Sequence, residues 1–128
     1  MSYVVDASAA FAMLNDEPGA EQVRQILSVS VMASVNFGEV VSIFARAGID
    51  MLAIETSLRI LDMEIVPVDR QLAFDAGLLL PLCQKAGLSL GDRICLALAR
   101  QRGVPAMTAD RAWLRVAADV GVAVELIR

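Results

Sequence analysis

The chain has 128 residues, 57% of them hydrophobic, a formal net charge of −4 and no histidine. That is the length of one domain with a full core, and the acidic balance excludes a simple basic nucleic-acid binder. Two cysteines, Cys83 and Cys95, without metal-ligand spacing exclude a disulfide scaffold and a zinc site.

In chain order, residues 3–5 read as a first strand closed by Asp6, followed by a short helix at 8–14. Asn15-Asp16-Glu17-Pro18-Gly19 is a turn into an amphipathic helix, with Pro18 near its first turn and its end near Ser28. A second strand spans 29–33, and Ser34 is placed to cap a helix at 35–47 that Gly48 ends. Asp50 caps a helix at 51–61, with Ile54, Leu58 and Leu61 along one side. A third strand follows at 64–68, and Asp69 caps again. Residues 70–86 read as helix with a kink or break at Pro81. The segment 92–101 is apolar almost all round, as in a helix buried against a sheet, and Gly103 ends it. A fourth strand at 105–108, a helix at 111–120 and a last strand at 123–126 complete the series.

The hydrophobic share exceeds the roughly 45–50% usual for soluble domains. A membrane span is excluded as the cause, because Asn36, Glu39 and Asp75 interrupt the long apolar stretches before the roughly 18 residues a span needs. Asp6 arrives too early for a secretory signal. The expectation is a cytoplasmic chain that buries apolar surface against another chain. Cys83 and Cys95 lie in apolar helical surroundings and read as buried, reduced thiols.

Strands separated by helices imply right-handed crossovers and a parallel sheet covered on both faces, the α/β class. Such sheets bind ligands beyond the carboxyl ends of their strands, where strand order reverses. Asp6 and Asp110 lie at or just beyond the ends of strands one and four. If those strands are neighbours at the switch point, the two carboxylates meet. Asp92 opens the apolar helix and Glu39 lies inside the helix after strand two. Acids so placed can hold hard divalent cations and hydrolyse a phosphodiester without histidine.

Each acid also has a plain structural use. Asp6 and Asp110 suit helix caps, and Ser89-Leu90-Gly91-Asp92 fits a capping box. Glu39 lies nearly opposite the stripe Phe37, Val40, Val41 and Phe44, which on spacing alone makes it a solvated residue. Other phosphate chemistries lack their signatures. There is no glycine-rich phosphate loop and no Gly-x-Gly-x-x-Gly after a strand. Ser8 stands where a haloacid-type hydrolase carries its second aspartate, and Lys85, the only lysine, is misplaced for a receiver domain.

Val4-Val5-Asp6-Ala7-Ser8-Ala9 resembles the opening of PIN-domain proteins, and Val35-Asn36-Phe37-Gly38-Glu39-Val40 resembles their helix with the second acid. Leu88-Ser89-Leu90-Gly91-Asp92-Arg93 and Met107-Thr108-Ala109-Asp110-Arg111-Ala112-Trp113 are similar to the third and fourth acidic motifs, especially those of VapC toxins. The resemblance runs from residue 3 to the C-terminus. It implies one PIN domain over residues 1–128, three-layered α/β/α, with a five-stranded parallel sheet in the order 3-2-1-4-5. It also implies a Mg²⁺- or Mn²⁺-dependent endoribonuclease that cuts structured RNA such as tRNA or ribosomal RNA. Such toxins are usually dimeric and held inactive by a small antitoxin made alongside.

On that reading Asp6 and Asp92 are the most direct metal ligands, Asp110 completes the set, and Glu39 acts through water or at an optional second ion. Ser8, Thr108 and Asn36 orient carboxylates or waters through their polar side chains. Arg93 and Arg111, each directly after a motif acid, are the candidate RNA contacts. Trp113 suits either a stacked base or the core. Met13, Met51 and Met63 are expected in an adaptable groove for an amphipathic antitoxin segment. Two rival readings remain: a PIN nuclease outside a toxin–antitoxin pair, and a non-catalytic PIN-like binding module. The short chain favours the toxin over the first, and the intact acids argue against the second.

Overall fold

The chain begins in the middle of its own sheet. In the computed structural model, which covers residues 1–128, β1 (Val4–Val5) pairs with β2 (Val31–Ala33) on one side and β4 (Ala106–Thr108) on the other. β3 (Glu64–Val66) and β5 (Val124–Leu126) flank them, so the order is β3-β2-β1-β4-β5 and every pair is parallel. The chain moves outward to β3 and returns across β1 to build the other half. The reversal of order therefore falls between β1 and β4, beside Asp6.

Eight helices cover the sheet: α1 (Ala7–Leu14), α2 (Ala20–Arg24), α3 (Ser34–Arg46), α4 (Met51–Leu58), α5 (Arg70–Leu78), α6 (Leu80–Cys83), α7 (Leu90–Arg102) and α8 (Ala117–Val120). Alternation along the strands divides the interior. Val4, Ala33 and Ala106 face a core completed by α5, α6 and α7, whereas Val5, Met32 and Met107 face one completed by α1 and by Val23 and Val40. The unbroken buried run Ile94 to Ala99 in α7 is the all-round apolar helix expected from the sequence. Cys83 and Cys95 are buried and free. No helix is long and apolar enough to cross a membrane.

Several local expectations are corrected. Gly19 adopts φ +95°, and its Cα packs where a side chain would meet the Ile127 carbonyl at 2.5 Å. This left-handed residue delays α2 to Ala20, so Pro18 stays outside the helix. α2 stops at Arg24, a 3₁₀ turn occupies Leu27–Val29, and β2 starts only at Val31. Ser34 does not cap α3; β2 runs straight into the helix, and the Ser34 hydroxyl accepts the Val68 N–H at 3.1 Å. The expected helix at 111–120 is a 3₁₀ turn, Arg111–Arg115, followed by α8, because Trp113 swings fully into the core. The break near Pro81 occurs, with α5 and α6 meeting at Leu79. Met13 is 3% exposed and belongs to the core, so it lines no surface groove.

Candidate active site at the strand switch point

β1 ends at Val5, and Asp6 caps α1 by accepting the Ala9 N–H at 2.8 Å. Its carboxylate is 3% exposed and is surrounded by hydroxyls. The Ser8 Oγ lies 2.8 and 2.9 Å from its two oxygens, and the Thr108 Oγ1 donates to Oδ2 at 2.6 Å. Those hydroxyls also tie down the turn after β4: Ser8 Oγ accepts the Ala109 N–H at 2.9 Å and Thr108 Oγ1 the Asp110 N–H at 3.1 Å. Burial pushes the Asp6 carboxyl up to about 6, against the pull of these hydrogen bonds, and Asp92 adds to the rise.

Asp110 holds its own turn, Oδ1 accepting the Ala112 N–H at 2.9 Å. Asp92 occupies the third position of α7 in a reciprocal capping box with Ser89, at 2.9 and 3.2 Å. Burial raises its carboxyl above the ordinary value, and the nearby Asp110 acts in the same direction. Glu39 is half-buried rather than solvated. One turn before it, Asn36 is 1% exposed, and its Nδ2 donates to Glu39 Oε1 at 2.8 Å and to the Gly91 carbonyl at 3.1 Å. A polar residue occupies the buried face of α3, and that draws Glu39 inward beyond what the apolar stripe predicts.

Asp6, Ser8, Glu39, Asp92 and Asp110 line one cavity of about 880 Å³, with Val35, Ser42, Ile43 and Arg46 completing much of its α3 wall. Arg46 is the only cation on that wall, and the sequence reading missed it. The signal was present, since residues 39, 42, 43 and 46 repeat at helical spacing from Glu39. Neither expected RNA contact, Arg93 nor Arg111, is among the residues lining this cavity. Arg93 turns to α5, where Nη1 donates to the Ala76 carbonyl at 3.1 Å and Nε is buried without an acceptor. Arg111 is exposed and reaches the Arg128 carbonyl at 3.4 Å. Trp113 is a core residue with no exposure.

A hard divalent cation fits the chemistry of this donor set, which is all oxygen. In Glu39, Asp92 and Asp110 one carboxylate oxygen takes the protein hydrogen bond, leaving Oε2, Oδ1 and Oδ2 respectively without a protein partner. Asn36 Oδ1 is buried with no partner. No three acids stand close enough to share one ion as the side chains are held here.

A model of the PIN domain matches residues 3–119. The chain belongs to the PIN domain family. No curated protein matches it in sequence. Among solved structures, VapBC-5 from Mycobacterium tuberculosis, a member of the VapBC toxin–antitoxin family, is 26% identical, with 99% of this chain and 98% of that chain covered and a TM-score of 0.62. VapBC2 from Rickettsia felis, bound to promoter DNA, is 15% identical over 98% of both chains, with a TM-score of 0.75. VapC20 from M. tuberculosis, a sarcin–ricin-loop-cleaving toxin, is 19% identical over 87% of this chain and 91% of that chain, with a TM-score of 0.72. The fold of this PIN domain is thus that of VapC toxins, with the strand order the resemblance implied.

Proposed function

We propose that this PIN domain, spanning residues 1–128, is a divalent-metal-dependent endoribonuclease and the toxin of a toxin–antitoxin pair. The observation that carries the reading is the convergence of Asp6, Glu39, Asp92 and Asp110, from four separate segments, on one cavity at the strand switch point. Asp6, Asp92 and Asp110 would hold Mg²⁺ or Mn²⁺ directly, with Glu39 acting through water or at a second ion. When bound, the ion polarises the phosphodiester and lowers the pKa of water. Ser8 and Thr108 fix the Asp6 carboxylate, and Asn36 fixes that of Glu39. Arg46 is placed to meet a phosphate of structured RNA entering past the acids.

The likeness to VapBC assemblies supports a co-encoded antitoxin as partner. So does an apolar groove of about 550 Å³ between α3 and α4, lined by Phe37, Val41, Ile49, Met51, Ile54 and Leu58 among others. An amphipathic segment laid there, with an arginine or lysine reaching the acid cavity, would inhibit by displacing metal. Phe74 and Leu78, each 62% exposed on α5, suit a homodimer contact, and a toxin acting on RNA would work in the cytoplasm.

The deciding experiment incubates purified protein with total RNA and Mg²⁺ or Mn²⁺, beside an EDTA control and Asp6→Asn. Cleavage that persists fully in EDTA or in the variant overturns the metal mechanism. Co-expression with the adjacent small open reading frame, followed by gel filtration, tests the partner. Elution of this chain alone, with the antitoxin present and folded, overturns the toxin reading in favour of a PIN nuclease outside such a pair.

A further inference from the structure

Gly91 is the second residue of α7, in the turn that also carries Asp92. Glycine is a poor helix former, and the left-handed conformations that require it occur elsewhere in the chain, not here. Space explains its presence. A Cβ built on Gly91 would lie 2.6 Å from Glu39 Oε2 and 2.9 Å from both Oε1 and the carboxyl carbon. The carboxylate of α3 therefore stands where any other residue would put its side chain. Asn36 clamps the two together, one amide group donating to Glu39 Oε1 and to the Gly91 carbonyl. Turned over, that amide would point its oxygen at two acceptors, so its orientation is set by the pair it bridges.

We infer that Gly91 is a positioning residue for Glu39: the missing side chain seats the carboxylate against the first turn of α7, beside Asp92. The inference rests on the reading of Glu39 as an acid of the metal site. It assigns a role to a residue that touches neither ion nor RNA. Because the Glu39 carboxylate is the far end of a flexible side chain, a methyl group at position 91 evicts it without unfolding the chain.

Calorimetric titration of Mn²⁺ into the purified full chain tests this with Gly91→Ala, Glu39→Ala and the double variant, each also melted thermally. Gly91→Ala is expected to melt within a few degrees of wild type and to bind Mn²⁺ about tenfold more weakly. Glu39→Ala should weaken binding by the same factor, and the double variant should be no weaker than Glu39→Ala alone, because the glycine acts only through the carboxylate. A general disturbance of α7 would instead add to the loss in the double variant, and that result overturns the inference. Wild-type affinity in Gly91→Ala overturns it as well. If wild type itself binds no Mn²⁺, the metal-site reading falls and this inference with it, whereas binding by wild type with an unaffected Gly91→Ala removes the inference alone.

Discussion

Thr108 Oγ1 stands 2.6 Å from Asp6 Oδ2, joining the ends of the two strands between which the sheet reverses its order. The same hydroxyl accepts the Asp110 N–H, so one threonine side chain fixes two of the four acidic positions. Its bond to Asp6 favours the charged carboxylate and opposes the effect of burial. Thr108→Val preserves shape and removes both bonds. The buried carboxylate then titrates above its present value of about 6, and the chain loses on the order of 1–3 kcal/mol for groups left unpaired. The acid limb of the pH–rate profile for RNA cleavage should move to higher pH. A limb that stays in place would show that Asp6 ionisation does not set it.

Asp6 itself should make folding stability depend on pH in a specific sense. Its carboxyl titrates near 3.8 when unperturbed and at about 6 in the folded protein. Between those values the folded chain holds the proton more tightly than the unfolded chain. Stability from this group is therefore present at low pH, falls as pH rises from about 4 to about 6, and stays low above that. Two pK units correspond to about 3 kcal/mol. Asp6→Asn removes the charge, keeps an acceptor for the Ala9 N–H and lets the Thr108 hydroxyl turn to accept. In EDTA, urea unfolding should find the variant more stable than wild type at pH 7.5, by up to about 3 kcal/mol, and nearly equal at pH 4. A difference independent of pH would contradict the assignment.

The sequence made β1, α7, the caps at Asp50 and Asp69, and the break at Pro81 legible, because each rests on a local residue choice. The neighbour relation of β1 and β4 was open on chain order alone and came from the resemblance, which implied the order now observed. Less visible were features set by contacts distant in sequence. The late start of α2 depends on Gly19 meeting Ile127, and the 3₁₀ turn at Arg111–Arg115 on where Trp113 finds core space. At the site, each acid was identifiable by its motif, but spacing alone placed Glu39 in solvent. Only the buried Asn36 and the vacant side of Gly91 draw it inward. Arg93 looked available from its neighbour Asp92, yet consecutive helical residues point about 100° apart, and Arg93 faces α5.

Asp92 serves two purposes that substitution can separate. Its carboxylate completes the capping box by accepting the Ser89 N–H, so Asp92→Ala forfeits about 1 kcal/mol of helix capping that Asp92→Asn retains. Both variants should lose Mn²⁺ binding and cleavage, and Asp110→Asn should weaken both. Glu55→Ala and Asp119→Ala, at exposed positions, should match wild type in Mn²⁺ calorimetry. Equal losses in all of these variants would mean that the cavity does not distinguish its acids from the rest of the surface.

Arg46 and Arg93 offer the sharpest contrast for substrate binding. Arg46 is exposed on the cavity wall, the lone cation among the acids there, and no salt bridge occupies it. Arg93 has its guanidinium against the Ala76 carbonyl, with Nε buried. If Arg46 meets an RNA phosphate, Arg46→Ala should raise KM several-fold with a smaller change in kcat, and lower the slope of log affinity against log salt by about 1. Stability should change by less than about 0.5 kcal/mol, as at other surface sites. Arg93→Ala should do the reverse, destabilising the chain by about 0.5–1.5 kcal/mol through the lost hydrogen bond to the Ala76 carbonyl while leaving the salt slope untouched. Measuring RNA affinity at several salt concentrations with the active site disabled by Asp6→Asn keeps binding separate from cleavage. An unchanged slope in Arg46→Ala, together with a reduced one in Arg93→Ala, would return the phosphate contact to the residue beside the third acid.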